Sequence, residues 1–268
     1  FASHRPTVGP EILYDVISNH QLIGERSKDC GLTPDFSSLA GPNFEPLDVH
    51  PSVRHFYEKT SLYDLGCSPH WQSGVSLAAK TVVATVGPAI DQCNLPLGAH
   101  ADNGGMKSEI IKLRRREDGK HDSSCWLRRA KATCDVVYAG FYGIANPPLA
   151  DGPCVRGSFP LPGGYACATL SPVAHTDGSF ELVSLGEEYG EAGFYLVFED
   201  GRGGRRARMI PLHESVRVGV DETGDVWAKH QFEFITKFLQ LDYRLARSRA
   251  AGESADEEKR TGTGSPLS

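Results

Sequence analysis

Residues 107–130 read KSEIIKLRRREDGKHDSSCWLRRA. Two strand-like runs, 107–114 and 124–130, flank the polar segment Glu117-Asp118-Gly119-Lys120. An Asp-Gly pair between such runs is the strongest short-range hairpin signal. The turn that matches strand twist needs positive φ, which glycine adopts without steric cost. The unit then repeats. Further runs occur at 134–143, 153–161, 164–171, 179–185, 193–199, 205–211, 214–220 and 226–234. Between them lie Pro162-Gly163-Gly164, Thr176-Asp177-Gly178, Asp200-Gly201-Arg202-Gly203-Gly204 and Asp221-Glu222-Thr223-Gly224. Successive hairpins make an antiparallel meander. A sheet of about ten strands must curl, split or close, and closing removes its exposed edges. The stretch 232–245 suits either a helix or a twisted strand.

N-terminal to this region the periodicity changes. Pro51 fits the first position of a helix, where its missing N–H costs nothing. Val53, Phe56, Tyr57 and Thr60 then recur at helical spacing. The pattern predicts a helix from Pro51 to Leu65, stopped by Gly66. A second helix is expected from about Trp71 to Val86, rich in Gly and Ala, interrupted by Gly87-Pro88 and followed by a turn over 89–93. A short helix is expected at 11–18, and 98–105 reads as a loop. The expected fold is therefore α+β and predominantly antiparallel β. A curved sheet or barrel spans about 106–245, and two helices within about 50–95 pack on it or cap it. Residues 1–46 read as an extended arm, 47–247 as one domain and 248–268 as a loosely ordered tail.

Composition narrows the function classes. The chain has 268 residues, 40% of them apolar and 23% charged, with a net charge of −6. Its 29 Gly and 17 Pro exclude a long-helix or coiled-coil protein. The acidic balance argues against a nucleic-acid partner, although residues 106–131 hold nine Lys/Arg against four Asp/Glu. The most apolar stretch, 75–90, is short of a membrane span and contains Lys80 and Pro88. Seven cysteines, an odd number without a CxxC pair, read as mostly reduced and buried thiols in a cytoplasmic protein. A small molecule is the expected partner, without nucleic acid or a membrane span, and association as a homodimer is left open.

No dinucleotide fingerprint, Walker A loop, GxSxG elbow or HExxH occurs, and the ten histidines form no HxH pair. No cofactor and no metal is expected. Two constellations remain. On the first helix Arg54, His55 and Glu58 share an edge beside the apolar face. A carboxylate there could act as an acid or base, with His55 relaying a proton and Arg54 holding an anion. In the sheet, alternate residues share a face. Trp126 lies with Arg128, Tyr138 with Gly140 and Tyr142, Arg156 with Ser158, and Lys107 with Glu109. An aromatic wall with few polar groups is what small-molecule pockets look like. The expectation is a cofactor-independent isomerase, cyclase or lyase acting on a partly hydrophobic, anionic substrate. Glu58, Glu109, His55 and Tyr142 would be catalytic. Arg54, Trp126, Arg128, Tyr138 and Arg156 would bind the substrate. The alternative is a carrier or sensor holding a lipid-like or aromatic ligand in the same pocket.

Overall fold

The structure, a computed structural model, describes residues 20–72, 105–161, 164–199, 204–234 and 236–248, together with Leu13, Val16 and Ile17. The elements in chain order are β1 (Leu22–Arg26), α1 (Pro51–Glu58), β2 (Tyr63–Trp71), β3 (Met106–Arg115), β4 (His121–Ala130), β5 (Val136–Ala145) and β6 (Cys154–Leu161). Then follow β7 (Gly164–Ala174), β8 (Phe180–Val183), β9 (Phe194–Glu199), β10 (Arg205–Ile210), β11 (His213–Val220), β12 (Val226–Glu233) and β13 (Lys237–Arg247). Short 3-10 turns cover Phe36–Leu39, Pro46–Asp48 and Thr60–Leu62.

Ten strands close a ring in the order β2-β3-β4-β5-β6-β7-β8-β11-β12-β13 and back to β2. Every pairing is antiparallel, and the protein is a closed, predominantly antiparallel barrel. The β9–β10 hairpin stands outside the ring. Residues 164–168 of β7 pair with β9, whereas residues 171–174 pair with β8. β1 adds to the free edge of β3, from Leu22 opposite Arg115 to Arg26 opposite Ile111.

The barrel interior is the main core, filled by alternate residues of each strand. A second apolar layer lies outside it. Leu13, Val16 and Leu22 cover Ile111, Leu113, Cys125, Leu127 and Phe141 of β3, β4 and β5. These strands are therefore buried on both faces, which is why 123–128 is one unbroken buried run.

α1 plugs one end. Its N-cap His50 accepts the Ser52 N–H through Nδ1 at 3.2 Å, and Pro51 follows as the first helical residue. Val53, Phe56 and Tyr57 are buried. Tyr57 meets Phe36 and Phe180 at ring-centroid distances of 5.7 and 5.1 Å, and Phe44 meets the same two rings at 6.1 and 5.5 Å. Burial of each such ring contributes about 1.5–3 kcal/mol. The helix ends earlier than its apolar spacing suggested. The Thr60 hydroxyl donates to the Phe56 carbonyl at 2.7 Å, satisfying a C-terminal acceptor, and the chain turns into β2 at Tyr63. Gly66 is a strand residue opposite Arg244, not a helix stop. Tyr63, Leu65 and Cys67 alternate inward with period two, and that alternation took precedence over the helical pattern.

The segment expected as an arm contributes Cys30, Leu32, Phe36, Leu39 and Phe44 to the interior core. It crosses the end of α1 so closely that a Cβ on Gly31 would sit 2.0 Å from the Tyr57 carbonyl oxygen. The expected helix from Trp71 begins on the last residue of β2. Its remainder, the turn over 89–93, most of the 98–105 loop, most of the 11–18 helix and nearly all of the tail lie outside the described residues. The ambiguous 232–245 stretch spans the end of β12, a register shift at Phe232/Glu233 and most of β13.

Candidate functional site

Strand pleating aims Trp126 and Arg128 of β4 into the barrel, together with Tyr138 and Tyr142 of β5. All four line an interior cavity of about 160 Å³. The register sets Arg128 opposite Tyr138 and Trp126 opposite Gly140. The register runs unbroken through Gly140. The register shift between these strands lies at Arg128/Arg129 instead. A Cβ at Gly140 would lie 2.8 Å from Tyr138 Oη and 3.0 Å from Tyr142 Cε2. The missing side chain lets the two phenols hydrogen-bond to each other across it.

Arg128 is 7% exposed. Its guanidinium carbon lies 4.0 Å from the Trp126 ring centroid, 4.3 Å from that of Tyr138 and 5.3 Å from that of Tyr243 on β13. Nη1 donates to Tyr243 Oη at 3.2 Å. Nε is buried without a partner, and so is Nε1 of Trp126. No carboxylate among the described residues forms an ion pair with Arg128. Burial works against its charge, but the oxygens of Tyr243, Tyr138 and Tyr142 outweigh that and hold its pKa above the ordinary value. Burial also raises the Tyr243 phenol, which stays neutral. The site is thus a permanent cation in an aromatic box, with two unused N–H donors.

The same cavity carries a second polar pair that the sequence reading missed. Glu214 of β11 and His230 of β12 line it, with Glu214 Oε1 2.7 Å from His230 Nε2. Their side chains are 7% and 15% exposed. Phe232 packs on the imidazole at a centroid distance of 4.2 Å. The Glu214 N–H donates to Ser184 Oγ at 2.8 Å, and its carbonyl accepts the Ser184 N–H at 2.9 Å, which fixes the strand end. The signal was available in the alternation Glu214, Val216, Val218, Val220, where one carboxylate stands in an apolar row. Ala228, His230 and Phe232 form the matching row on β12.

The other expected site residues are not brought to the cavity. Glu58 caps a turn, its Oε1 accepting the Phe36 N–H at 3.0 Å. His55 Nδ1 lies 2.9 Å from Tyr63 Oη. Burial, then the charges of Arg247 and Lys59, lower the pKa of His55. Arg54, on α1 between Val53 and His55, is not part of the cavity wall. Glu109 lies on the outer face of β3, held by Arg129 at 2.8 Å and Arg26 at 3.4 Å. Arg156 also faces outward, beside Gly143. The reason is strand parity: Lys107, Glu109 and Ile111 share the face opposite to Ser108 and Ile110. Glu214 therefore stands as the cavity carboxylate where Glu58 and Glu109 were expected.

Among the described residues no group of three or more His, Cys, Asp or Glu is placed to hold a metal ion. No helix among them is long and apolar enough to cross a membrane. None of their six cysteines forms a disulfide, and four of them are buried.

No protein-family model matches the chain, and no solved structure matches it. The chain is similar to a Bacillus subtilis (strain 168) protein named "Uncharacterized membrane protein YndJ", with 23% identity over 241 residues. The match covers 89% of this chain and 41% of that relative.

Proposed function

We propose that the barrel is a carrier or sensor for a small, partly hydrophobic anion, aromatic or short and lipid-like. The observation that carries this reading is Arg128, a buried cation without a carboxylate partner and with its Nε unused. Burying a charge costs several kcal/mol unless it is compensated. The surrounding rings return about 0.5–2 kcal/mol each through cation–π attraction. A ligand carboxylate or sulfonate would supply the rest, accepting from Arg128 Nε and Trp126 Nε1. The apolar walls would take the body of the ligand. A cavity of about 160 Å³ matches a benzene-sized body, since an apolar cavity of about 150 Å³ binds benzene. The relative is named a membrane protein. Amphipathic anions collect at bilayer surfaces, which supports the same ligand class.

The test is a titration with short aromatic and aliphatic carboxylates, read by Trp126 fluorescence and calorimetry. Arg128→Met is expected to weaken binding more than tenfold. Equal binding by the variant, or no binding by any carboxylate, overturns the reading.

A proton-transfer enzyme of the isomerase, cyclase or lyase type is the second reading. The Glu214–His230 pair in the cavity wall is the observation that favours it. It replaces Glu58 and Glu109 as the acid–base group. Deuterium entering a carbon of the bound ligand from D2O, seen by NMR, supports the enzyme. Tight binding without exchange supports the carrier.

A further inference from the structure

We infer that the cavity recognises a bifunctional ligand, an anion at one end and a hydroxyl or amine donor at the other. This rests on the anion reading of Arg128 and adds a second contact to it. The two polar groups of the wall are opposite in kind. At one pole the unused atoms are donors, Arg128 Nε and Trp126 Nε1. At the other, Glu214 Oε1 is taken by His230 Nε2, while Glu214 Oε2 and His230 Nδ1 have no partner among the described residues. A carboxylate oxygen accepts and does not donate. That pole therefore offers an acceptor, Glu214 Oε2, and asks for a donor.

The poles also stand on opposite walls. β4, which carries Arg128, and β11, which carries Glu214, are five places apart in the ten-strand ring in either direction. Aromatic and aliphatic side chains, among them Tyr142, Phe159, Leu182 and Val216, line the space shared by the two poles. A ligand spanning that space meets apolar contacts along its length and hydrogen bonds only at its ends. A flat ring bearing an acid and a para hydroxyl has this pattern. An analogue that replaces the hydroxyl with a methyl would leave that acceptor unpaired. Sites built to bond a substrate hydroxyl discriminate strongly against such analogues.

The experiment measures binding of benzoate, 4-methylbenzoate and 4-hydroxybenzoate to the full chain by calorimetry. The hydroxy acid is expected to bind at least tenfold more tightly than the methyl acid. In the double variant Glu214→Met/His230→Phe the hydroxy and methyl acids should bind with equal affinity. Removing both partners avoids stranding one of them. The single variant Glu214→Gln, which keeps the shape, should show a reduced preference if the double variant does not fold. If the methyl acid binds as well as the hydroxy acid, the bifunctional ligand is overturned while the anion site stands. If none of the three binds, both readings fall together.

Discussion

Arg128 sets binding against stability. A buried guanidinium held only by neutral rings and one phenol is costly to the free protein, and replacing such a charge with an apolar side chain is often neutral or stabilising. Arg128→Met is therefore expected to hold or raise Tm at pH 7 while losing the anion. Thermal unfolding checks this. A fall of more than about 8 °C, on the order of 3 kcal/mol for a chain of this size, would make Arg128 a structural residue instead. Gly140 gives the opposite case. Its absent Cβ is the space in which the Tyr138 and Tyr142 phenols meet, so Gly140→Ala overfills a packed wall. A loss of about 1–3 kcal/mol is expected by chemical denaturation, with weaker ligand binding because the aromatic box shifts. That Trp126 shares a face with Arg128, and Tyr138 with Tyr142, was legible from parity, but which face turns inward was not, and the same reasoning misplaced Glu109 and Arg156. Glu214 was legible as the one carboxylate in an apolar row, but its partner His230 stands on another strand, so the pair emerges only once β11 and β12 are in register.

At the scale of elements, glycine has two meanings here, and only one is visible from composition. In the turn between β3 and β4, Gly119 has φ +67° and open space around it. Its role is the backbone angle, so Gly119→Ala should cost about 1 kcal/mol through strain alone. Gly66 was read as a helix stop, a position that would also need positive φ. It lies in β2 without positive φ, and the nearest atom to an added Cβ is Arg244 Cβ at 4.0 Å. Gly66→Ala is expected to be neutral or stabilising by up to about 1 kcal/mol, because alanine narrows the unfolded ensemble. Urea denaturation of the two variants separates these cases. A cost at Gly66 equal to that at Gly119 would contradict the strand assignment. The strands from β3 to β10 were legible because each has an Asp-Gly or Gly-Gly turn on at least one side. β2 was not, because its inward residues Tyr63, Leu65 and Cys67 follow directly on a helix whose spacing continues to Leu65 by coincidence. β1 was hidden too, since four of its five residues are exposed and carry no alternation.

The whole molecule is closed by its most distant pair. β2 and β13 meet from Tyr63 opposite Arg247 to Trp71 opposite Leu239, joining the two ends of the ring. No local turn signal specifies that contact. The number of strands predicted closure, but the chain gave no local sign of which strands would meet. Stability that depends on such a ring is global, so groups far from the cavity should shift its pH profile. Burial, followed by nearby Arg247 and Lys59, lowers the pKa of His55, with Asp29 and Glu58 opposing. Burial and Arg114 lower that of His121, with Asp122 opposing. In each case the unfolded chain binds a proton that the folded chain resists. Stability must then fall as pH drops below about 6.5, the ordinary histidine value. Asp177 adds a second step of the same sign. Hydrogen bonds from Ser179, with Arg217 nearby, hold its carboxylate below the usual range, so folding loses that support as pH falls below about 4. Tm measured from pH 7.5 to 5 is expected to decline. The decline should flatten in His55→Gln and His121→Gln, whose side chains take up no proton in this window. A profile that rises toward pH 5, or one that both variants leave unchanged, would locate the proton uptake elsewhere in the barrel.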